Sequence, residues 1–431
     1  MSVVEGGCVR ARLRVYARWG ITAPLSALLL LSACLDTQAD DAVAADAIPV
    51  ALLLSYTGTS AANSINSERA VLMAVEEVNR AGGVSGRPIR LVMNDIQSDA
   101  SRAMNISADL LAREKIAAFI GPDSPNVVNQ LFFSLRQQTL FLPSVASPAR
   151  DHIFGAHNWF TFAPNVWTLA CAFQRRLDAD GIRNPLILFN PDSFHAELAV
   201  ALTSTLSAPN RAVAIPARAT LSSSEVEEVQ RREKDALLLI AFPESAASVV
   251  SELSFRTRTR TGPPWYLSPT LHTPRFFDNV PPGALEGAQG VGPGRQSGEA
   301  FERLFASRWN DAPLDEAFAF YDAAAVVSLA LQEAFVKSGT LPSAETLGGY
   351  VRPVAGPPGL PIAWNELGRG LELIRSGQDV DYQGVSGQLD FNELGDPAVT
   401  LLQWWRLEPQ GPVSVGAPMA SAVTNGSQCN R

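Results

Sequence analysis

Cysteine and histidine are scarce in this chain, with four of each among 431 residues. So few thiols cannot build a disulfide scaffold, and so few imidazoles leave little material for a metal centre. His152 and His157, five apart in a predicted loop, are a weak pair for a metal. Ser193 and His195 stand two apart in a turn without the glycine elbow of a hydrolase nucleophile, which argues against a catalytic triad. No GxGxxG follows a strand, and the glycine- and proline-rich stretches 281–298 and 353–361 lack phosphate-loop spacing and read as linkers or surface loops. Basic charge is also short: 34 lysines and arginines face 43 acids, for a net charge of −9. Such a body repels nucleic acid, and the one basic cluster, Arg256, Arg258 and Arg260, reads as a solvated face. No cofactor, no metal and no enzymatic reaction is expected. Past the N-terminus, no segment is expected to cross a membrane.

The N-terminus is the exception to the acidic trend. Arg10, Arg12, Arg14 and Arg18 oppose a single acid, Glu5, and the apolar run Ile21 to Leu31 follows. That run is too short to persist as a membrane span, and basic-then-apolar order is the layout of a secretory signal. It ends in Leu31-Ser32-Ala33-Cys34, which resembles the lipobox of bacterial lipoproteins. The resemblance implies cleavage before Cys34 and acylation of its sulfur. Residues 1–33 are then a signal peptide, and 34–47 a polar, Ala/Asp-rich tether from a lipid anchor. An ordinary signal with a chance cysteine is the alternative. Either way the protein is expected outside the cytoplasm. Removing residues 1–33 takes away four arginines and one glutamate, so the net charge moves from −9 to −12. Cys171 and Cys429 remain, enough for at most one bridge, and the sequence leaves their pairing open.

Beyond the tether, about 360 residues exceed what one hydrophobic core usually supports, so two lobes are expected. Short apolar runs alternate with amphipathic segments. Strands are predicted at Ile48–Ser55, Pro88–Asn94, Ile116–Ile120 and Thr139–Leu142, with helices at Glu68–Asn79, Ala100–Arg113 and Val127–Arg136 between them. The pattern restarts with a helix at Trp167–Asp178, strands at Leu186–Phe189 and Ala236–Ile240, and helices at Ala196–Leu206 and Ser245–Leu253. Such alternation predicts an α/β fold, each lobe a mainly parallel sheet flanked by helices. Residues 409–431 show little hydrophobic periodicity and read as a loose tail.

Open α/β sheets bind ligands beyond the carboxyl ends of their strands. Those ends read Ser55-Tyr56-Thr57-Gly58, Gly121-Pro122-Asp123-Ser124, Pro143-Ser144-Val145-Ala146-Ser147 and Phe242-Pro243-Glu244. Small residues, hydroxyls and bare amides at helix starts suit a carboxylate or another polar head. Each loop taken alone reads better as a helix cap or a turn, and it is several of them on one edge that point to a site.

Ile48 through Ala149 resembles the first lobe of type I periplasmic binding proteins, in particular their branched-chain amino acid and amide-binding branch. The matching features are the strand closed by Ser55-Tyr56-Thr57-Gly58, the run Ala81-Gly82-Gly83-Val84-Ser85-Gly86-Arg87-Pro88-Ile89, Asn94-Asp95, Ile120-Gly121-Pro122 and Leu142-Pro143-Ser144-Val145-Ala146-Ser147-Pro148. Asn190-Pro191-Asp192-Ser193-Phe194, Phe320-Tyr321-Asp322-Ala323-Ala324 and 377–396 extend the resemblance to about Leu407. It implies two lobes joined by three crossover strands near Thr161–Asn165, Gln289–Gly294 and Tyr382–Gly387. The N-terminal lobe would be 48–163 plus 294–383, and the C-terminal lobe 164–293 plus 384–408.

The same resemblance implies a small-molecule ligand in the cleft, gripped by hinge closure, with contacts from Ser55, Thr57, Asn63, Ser124, Ser144, Ala146, Ser147, Phe242 and Thr270. Three of these depart from the amino acid binders. Asn63 stands where an aromatic commonly covers the ligand, Ala146 where a threonine hydroxyl often meets a carboxylate, and Thr270 where an acid often meets an ammonium. An amide, a small neutral compound or a carboxylate therefore fits as well as an amino acid. Two functional classes follow. One delivers solute to an ABC permease; the other uses the same fold as a sensing or envelope-interaction lipoprotein. Permease and ATPase genes beside this one would favour the first.

Overall fold

The computed structural model describes residues 46–58, 61–124, 127–128, 130–131, 135, 137–143, 158–207, 211–217, 221–257, 262–422 and 429. The signal, Cys34 and its tether, the ligand candidates Ser144, Ala146 and Ser147, and His152, His157, Arg258 and Arg260 lie outside the described residues.

The first sheet grows from β1 (Ile48–Leu54), whose sequence IPVALLL is buried at six of seven positions. A strand covered on both faces has no need to alternate polar with apolar. The chain continues through α1 (Ala61–Arg80), β2 (Ile89–Asp95), α2 (Ala100–Arg113), β3 (Ala118–Ile120), β4 (Leu140–Leu142) and β5 (Trp159–Thr161). The five strands are parallel in the order β2-β1-β3-β4-β5, with Leu54 beside Asp95 and Leu52 beside Ile120. Asp99 caps α2 by accepting from the Arg102 amide, as an extended residue with a short acceptor does at a helix start.

The second sheet gathers later segments: α3 (Val166–Ala179), β6 (Pro185–Phe189), α4 (Ser193–Thr205), β7 (Ala212–Ala214), α5 (Ser223–Arg231), β8 (Ala236–Ile240), α6 (Pro243–Thr257), β9 (Trp265–Leu267) and β10 (Gln289–Pro293). Returning to the first lobe, α7 (Gly298–Trp309) and α8 (Asp315–Ser338) precede a parallel pair, β11 (Leu360–Ala363) and β12 (Val380–Gln383), with α9 (Leu367–Arg375) between its strands. Finally β13 (Val399–Glu408) and β14 (Gly411–Ala422) join the second sheet, whose order is β14-β13-β10-β9-β8-β6-β7.

One expectation is corrected. Residues 411–422 are not a loose tail: β14 pairs antiparallel with β13 from Glu408–Gly411 to Val399–Ala422, and Cys429 is disulfide-bonded to Cys171 on α3, with Cα atoms 5.4 Å apart. An edge strand is held by backbone hydrogen bonds, and β14 leaves most of its side chains exposed, so it has no buried face to write a hydrophobic pattern. By length and composition alone, α8 would pass for a membrane span. It is instead the core helix of the first lobe. Its positions from Ala317 to Ala334 are buried, partly against α1, whose predicted face Ala70, Val71, Ala74, Val75 and Val78 is buried as well.

The chain leaves the first sheet after β5, the second after β10 and the β11–β12 pair after β12. These passages are laced together. The Thr161 amide donates to Gly395 O at 2.9 Å, its hydroxyl meets Asp396 at 2.5 Å, and the Gly294 amide donates to Leu401 O at 2.7 Å. Asp322, fully buried on α8, holds the third passage. It accepts from the Tyr382 hydroxyl at 2.7 Å, the Val385 amide at 2.9 Å, and the amide and hydroxyl of Ser386. Burial raises the Asp322 pKa against the pull of these hydrogen bonds.

Candidate functional site

The loops at the carboxyl ends of β1 and β3 are hydrogen-bonded to one another at the first sheet's edge, and those after β6, β8 and β9 are linked in the same way on the second. In the first group the organising residue is Asp123, which is 2% exposed. It accepts from the Ser55 amide at 2.8 Å, the Ser55 hydroxyl at 2.7 Å and the Ser64 hydroxyl at 2.6 Å. The Ser98 amide donates to Ser55 Oγ at 3.1 Å. Ser55, expected to face a ligand, is thus fully buried and committed to holding the loop.

Thr57 is exposed, and its amide and hydroxyl both reach Asp95, the hydroxyl at 2.9 Å. Gly58 completes the turn at φ +98°, where a Cβ would lie 2.4 Å from Gln97 O. Only glycine fits both the dihedral and the close approach. Gly121, before Asp123, is under the same constraint: φ is +99° and a Cβ would sit 2.3 Å from Leu53 O. Ser124 is buried beside Asp123.

Asn63 lies half-buried in the first turn of α1, and its side chain hydrogen-bonds Glu316, the second residue of α8. Burial, reinforced by repulsion from Asp123 and Asp315, raises the Glu316 carboxyl to about 8. Burial likewise raises Asp123 to about 6 against its serine hydrogen bonds. Asp315 differs. Burial would raise it, but the neighbouring His272, 2.6 Å away, and Arg295 outweigh that and hold it below the ordinary carboxylate range.

The second lobe's group centres on His195, which is 1% exposed. Its Nδ1 meets Asp192 at 2.5 Å and its Nε2 meets Thr270 Oγ1 at 3.3 Å. Asp192 also caps α4. The sequence of partners resembles a relay, but Thr270 Oγ1 donates to Ala241 O at 3.1 Å and contacts Ser268 Oγ at 2.8 Å, so its hydroxyl proton is already placed. The Phe242 ring stands edge-on to His195 with centroids 4.7 Å apart, and its amide donates to Asn190 Oδ1 at 2.7 Å. Of the expected contacts, Ser55, Asn63 and Ser124 therefore gather with Asp123 and Glu316, while Phe242 and Thr270 gather around His195.

Asp123, Ser64, Glu316 and the Asp192–His195 pair were not expected as site residues. Asp192 and His195 had a visible signal, an acid three residues before a histidine at a helix start. Glu316 had none, since α8 reads as core throughout.

Two cavities border these groups. One of about 620 Å3 lies on the flank of the crossovers, among His272, Arg295, Glu299, Arg303 and Trp405, and touches none of the expected ligand residues. The other, about 10 Å3, sits where the crossovers meet, among Pro143, Phe162, Pro293, Glu316 and Ser386. The strand-end loops, rather than the larger flank cavity, lie on the side where open α/β sheets take ligands.

A family described as periplasmic binding protein matches residues 47–348. A substrate-binding protein of the chemotactic signal transduction system of Halobacterium salinarum, BasB, is 28% identical over 363 residues, spanning 81% of this chain and 84% of its own. Among solved structures, the branched-chain amino acid transporter substrate-binding protein LivJ of Streptococcus pneumoniae, in complex with isoleucine, superposes with a TM-score of 0.68 at 13% identity, covering 87% of this chain and 99% of its own. An ABC transporter solute-binding protein of R. palustris, in complex with benzoate, does so with a TM-score of 0.68 at 16% identity, covering 89% and 99%. At these identities the structural likeness is one of fold.

Proposed function

The chain belongs to the periplasmic binding protein family, and from that premise we propose that it captures a small polar solute, an amino acid, amide or small carboxylate, between its lobes and delivers it to an ABC permease. One observation carries this reading: two mainly parallel sheets, joined by three laced crossovers, present polar strand-end loops on the side where such sheets bind. A ligand touching both lobes binds the closed arrangement better than the open one, and that difference alone drives closure. Thr57 and Asn63 on the first lobe, and Phe242 and Thr270 on the second, are the described residues we assign to ligand contact. Ser55 and Ser124 are assigned to positioning through Asp123.

Both solved relatives named above hold a small organic acid or amino acid, which supports the ligand class. We also propose an extracytoplasmic protein, lipid-anchored through Cys34, without enzymatic activity. A second reading, ligand sensing without transport, is favoured by the chemotactic role in the name of the BasB relative.

The test is a thermal-shift screen of the purified protein against amino acids, amides and small carboxylates. Binding raises the melting temperature by mass action, about 2.7 kcal/mol at a hundredfold excess over Kd. Silence across all three classes would remove the solute-capture reading.

A further inference from the structure

We propose that His272 and Asp315 form a latch between the lobes, a hydrogen-bonded pair outside the assigned ligand contacts that sets how readily the cleft closes. The inference rests on the solute-capture reading and names residues that position its lobes rather than its ligand.

The pair joins two bodies that are built separately. His272 lies in the second lobe, in the loop after β9, and Asp315 opens α8, the core helix of the first. The His272 Nδ1 and an Asp315 carboxylate oxygen are 2.6 Å apart. Each partner is fixed from its own side. The His272 ring stacks on Trp405 with centroids 4.9 Å apart and planes 20° from parallel, and Phe277 stands edge-on to it. Trp405 in turn lies so close over Gly290 that a Cβ there would be 2.1 Å from the indole. Asp315 is held by Arg295, which also pairs with Glu302 on α7 and lies 4.1 Å over the Phe318 ring of α8.

Little else fills the seam at this point. The cavity of about 620 Å3 takes its walls from α7 at Glu299 and Arg303 and from the second sheet at Gln403 and Trp405, and both partners of the pair line it. The pair is therefore a bridge beside open space rather than one contact in a packed interface, and its neighbours do little to replace it. Its side chains are 24% and 14% exposed. In such shelter a hydrogen bond to a charged group is worth about a factor of ten in an equilibrium.

Both partners belong to the cleft-facing ends of their lobes. Thr270 lies two residues before His272, and Glu316, hydrogen-bonded to Asn63, follows Asp315. A rotation that parts those ends parts the pair. On opening, Asp315 keeps Arg295, because Arg295 is anchored to α7 and α8 on the same side. Burial pushes the Asp315 carboxyl up, but His272 and Arg295 outweigh it and hold the group ionised. No acid is stranded when the latch releases, so opening costs one hydrogen bond and not the larger penalty of an unpaired buried charge. The affinity a solute shows is its affinity for the closed state reduced by the closed fraction. Loss of the latch thus weakens binding without altering a ligand contact.

The experiment compares His272→Phe, which keeps a ring against Trp405 and removes Nδ1, with His272→Asn, whose amide nitrogen takes the place of Nδ1. The full protein is read by small-angle X-ray scattering without solute and by calorimetric titration with isoleucine and with benzoate. If the empty protein is mostly closed, His272→Phe should raise its radius of gyration; if it is mostly open, His272→Phe should weaken the solute that binds by about tenfold. His272→Asn should recover part of either effect, which a packing role would not give, since asparagine cannot stack. Unchanged scattering together with unchanged affinity in His272→Phe, or a His272→Asn no better than His272→Phe, overturns the latch and leaves solute capture intact. Should His272→Phe fail to fold, His272→Gln, whose amide reaches the place of Nε2 and not of Nδ1, replaces it with the same expectations. If neither solute binds, scattering alone decides, an unchanged radius overturning the latch, and solute capture is judged by the thermal-shift screen.

Discussion

Replacing Asp123 separates the cost of stranding hydrogen-bond donors from the cost of burying a charge. In Asp123→Ala the Ser55 amide and the Ser55 and Ser64 hydroxyls lose their acceptor in a site from which water is excluded. Hydrogen bonds to a charged group contribute about 1.5–3 kcal/mol each, not additively. Ser64 keeps a second acceptor in Ser55 O at 2.6 Å, which trims the loss to about 2–4 kcal/mol. Asp123→Asn keeps an acceptor of the same size and removes the charge. Because burial raises this carboxyl to about 6, the ionised form is disfavoured in the fold at neutral pH, and Asn should cost less than about 1 kcal/mol there. Between the ordinary carboxylate value and about 6 the folded protein binds the proton more tightly than the unfolded chain, so this group's contribution to stability falls as pH rises through that window and is flat above it. Asp123→Asn should lose that decline. The assay is urea unfolding of each variant from pH 4 to 7, read by midpoint at constant slope. An Asp123→Ala loss below about 1 kcal/mol, or equal losses for Ala and Asn, would refute the claim that these donors hold the β1 loop.

Opening the Cys171–Cys429 disulfide by a double change to serine frees a loop of 258 residues, for which chain entropy gives about 5–6 kcal/mol as an upper figure and about 2–5 as the usual loss; the melting temperature should drop by roughly 5 °C with ligand affinity unchanged, and an unshifted melt would contradict the tie. Gly58→Ala, forced into φ +98° against Gln97 O, should cost about 2–4 kcal/mol and weaken any ligand held by Thr57, as titration calorimetry would read. Cys34→Ser should move the protein from the membrane fraction to the soluble one in fractionated cells, and retention at the membrane would remove the lipid-anchor proposal.

The sequence by itself determined the strand-and-helix alternation, because a strand such as IPVALLL and a helix face such as Ala70, Val71, Ala74, Val75 and Val78 write their burial into local period. It also determined which loops end the strands, since glycines at 58 and 121 mark turns that a side chain would block. It was silent on β14, which is held by its backbone at a sheet edge, and on the Cys171 bridge, whose partners are 258 residues apart. Tertiary structure alone decided the roles within the site. Ser55 and Thr57 are near neighbours in one turn, yet one is sealed against Asp123 and the other lies open. Glu316 sits at the start of a helix that reads as core, and it becomes a buried acid beside Asp123 and Asp315 only because distant segments close around it. Local sequence fixes what a residue can donate or accept; the company it keeps, and so its charge and its task, is set by contacts between segments that no short-range pattern encodes.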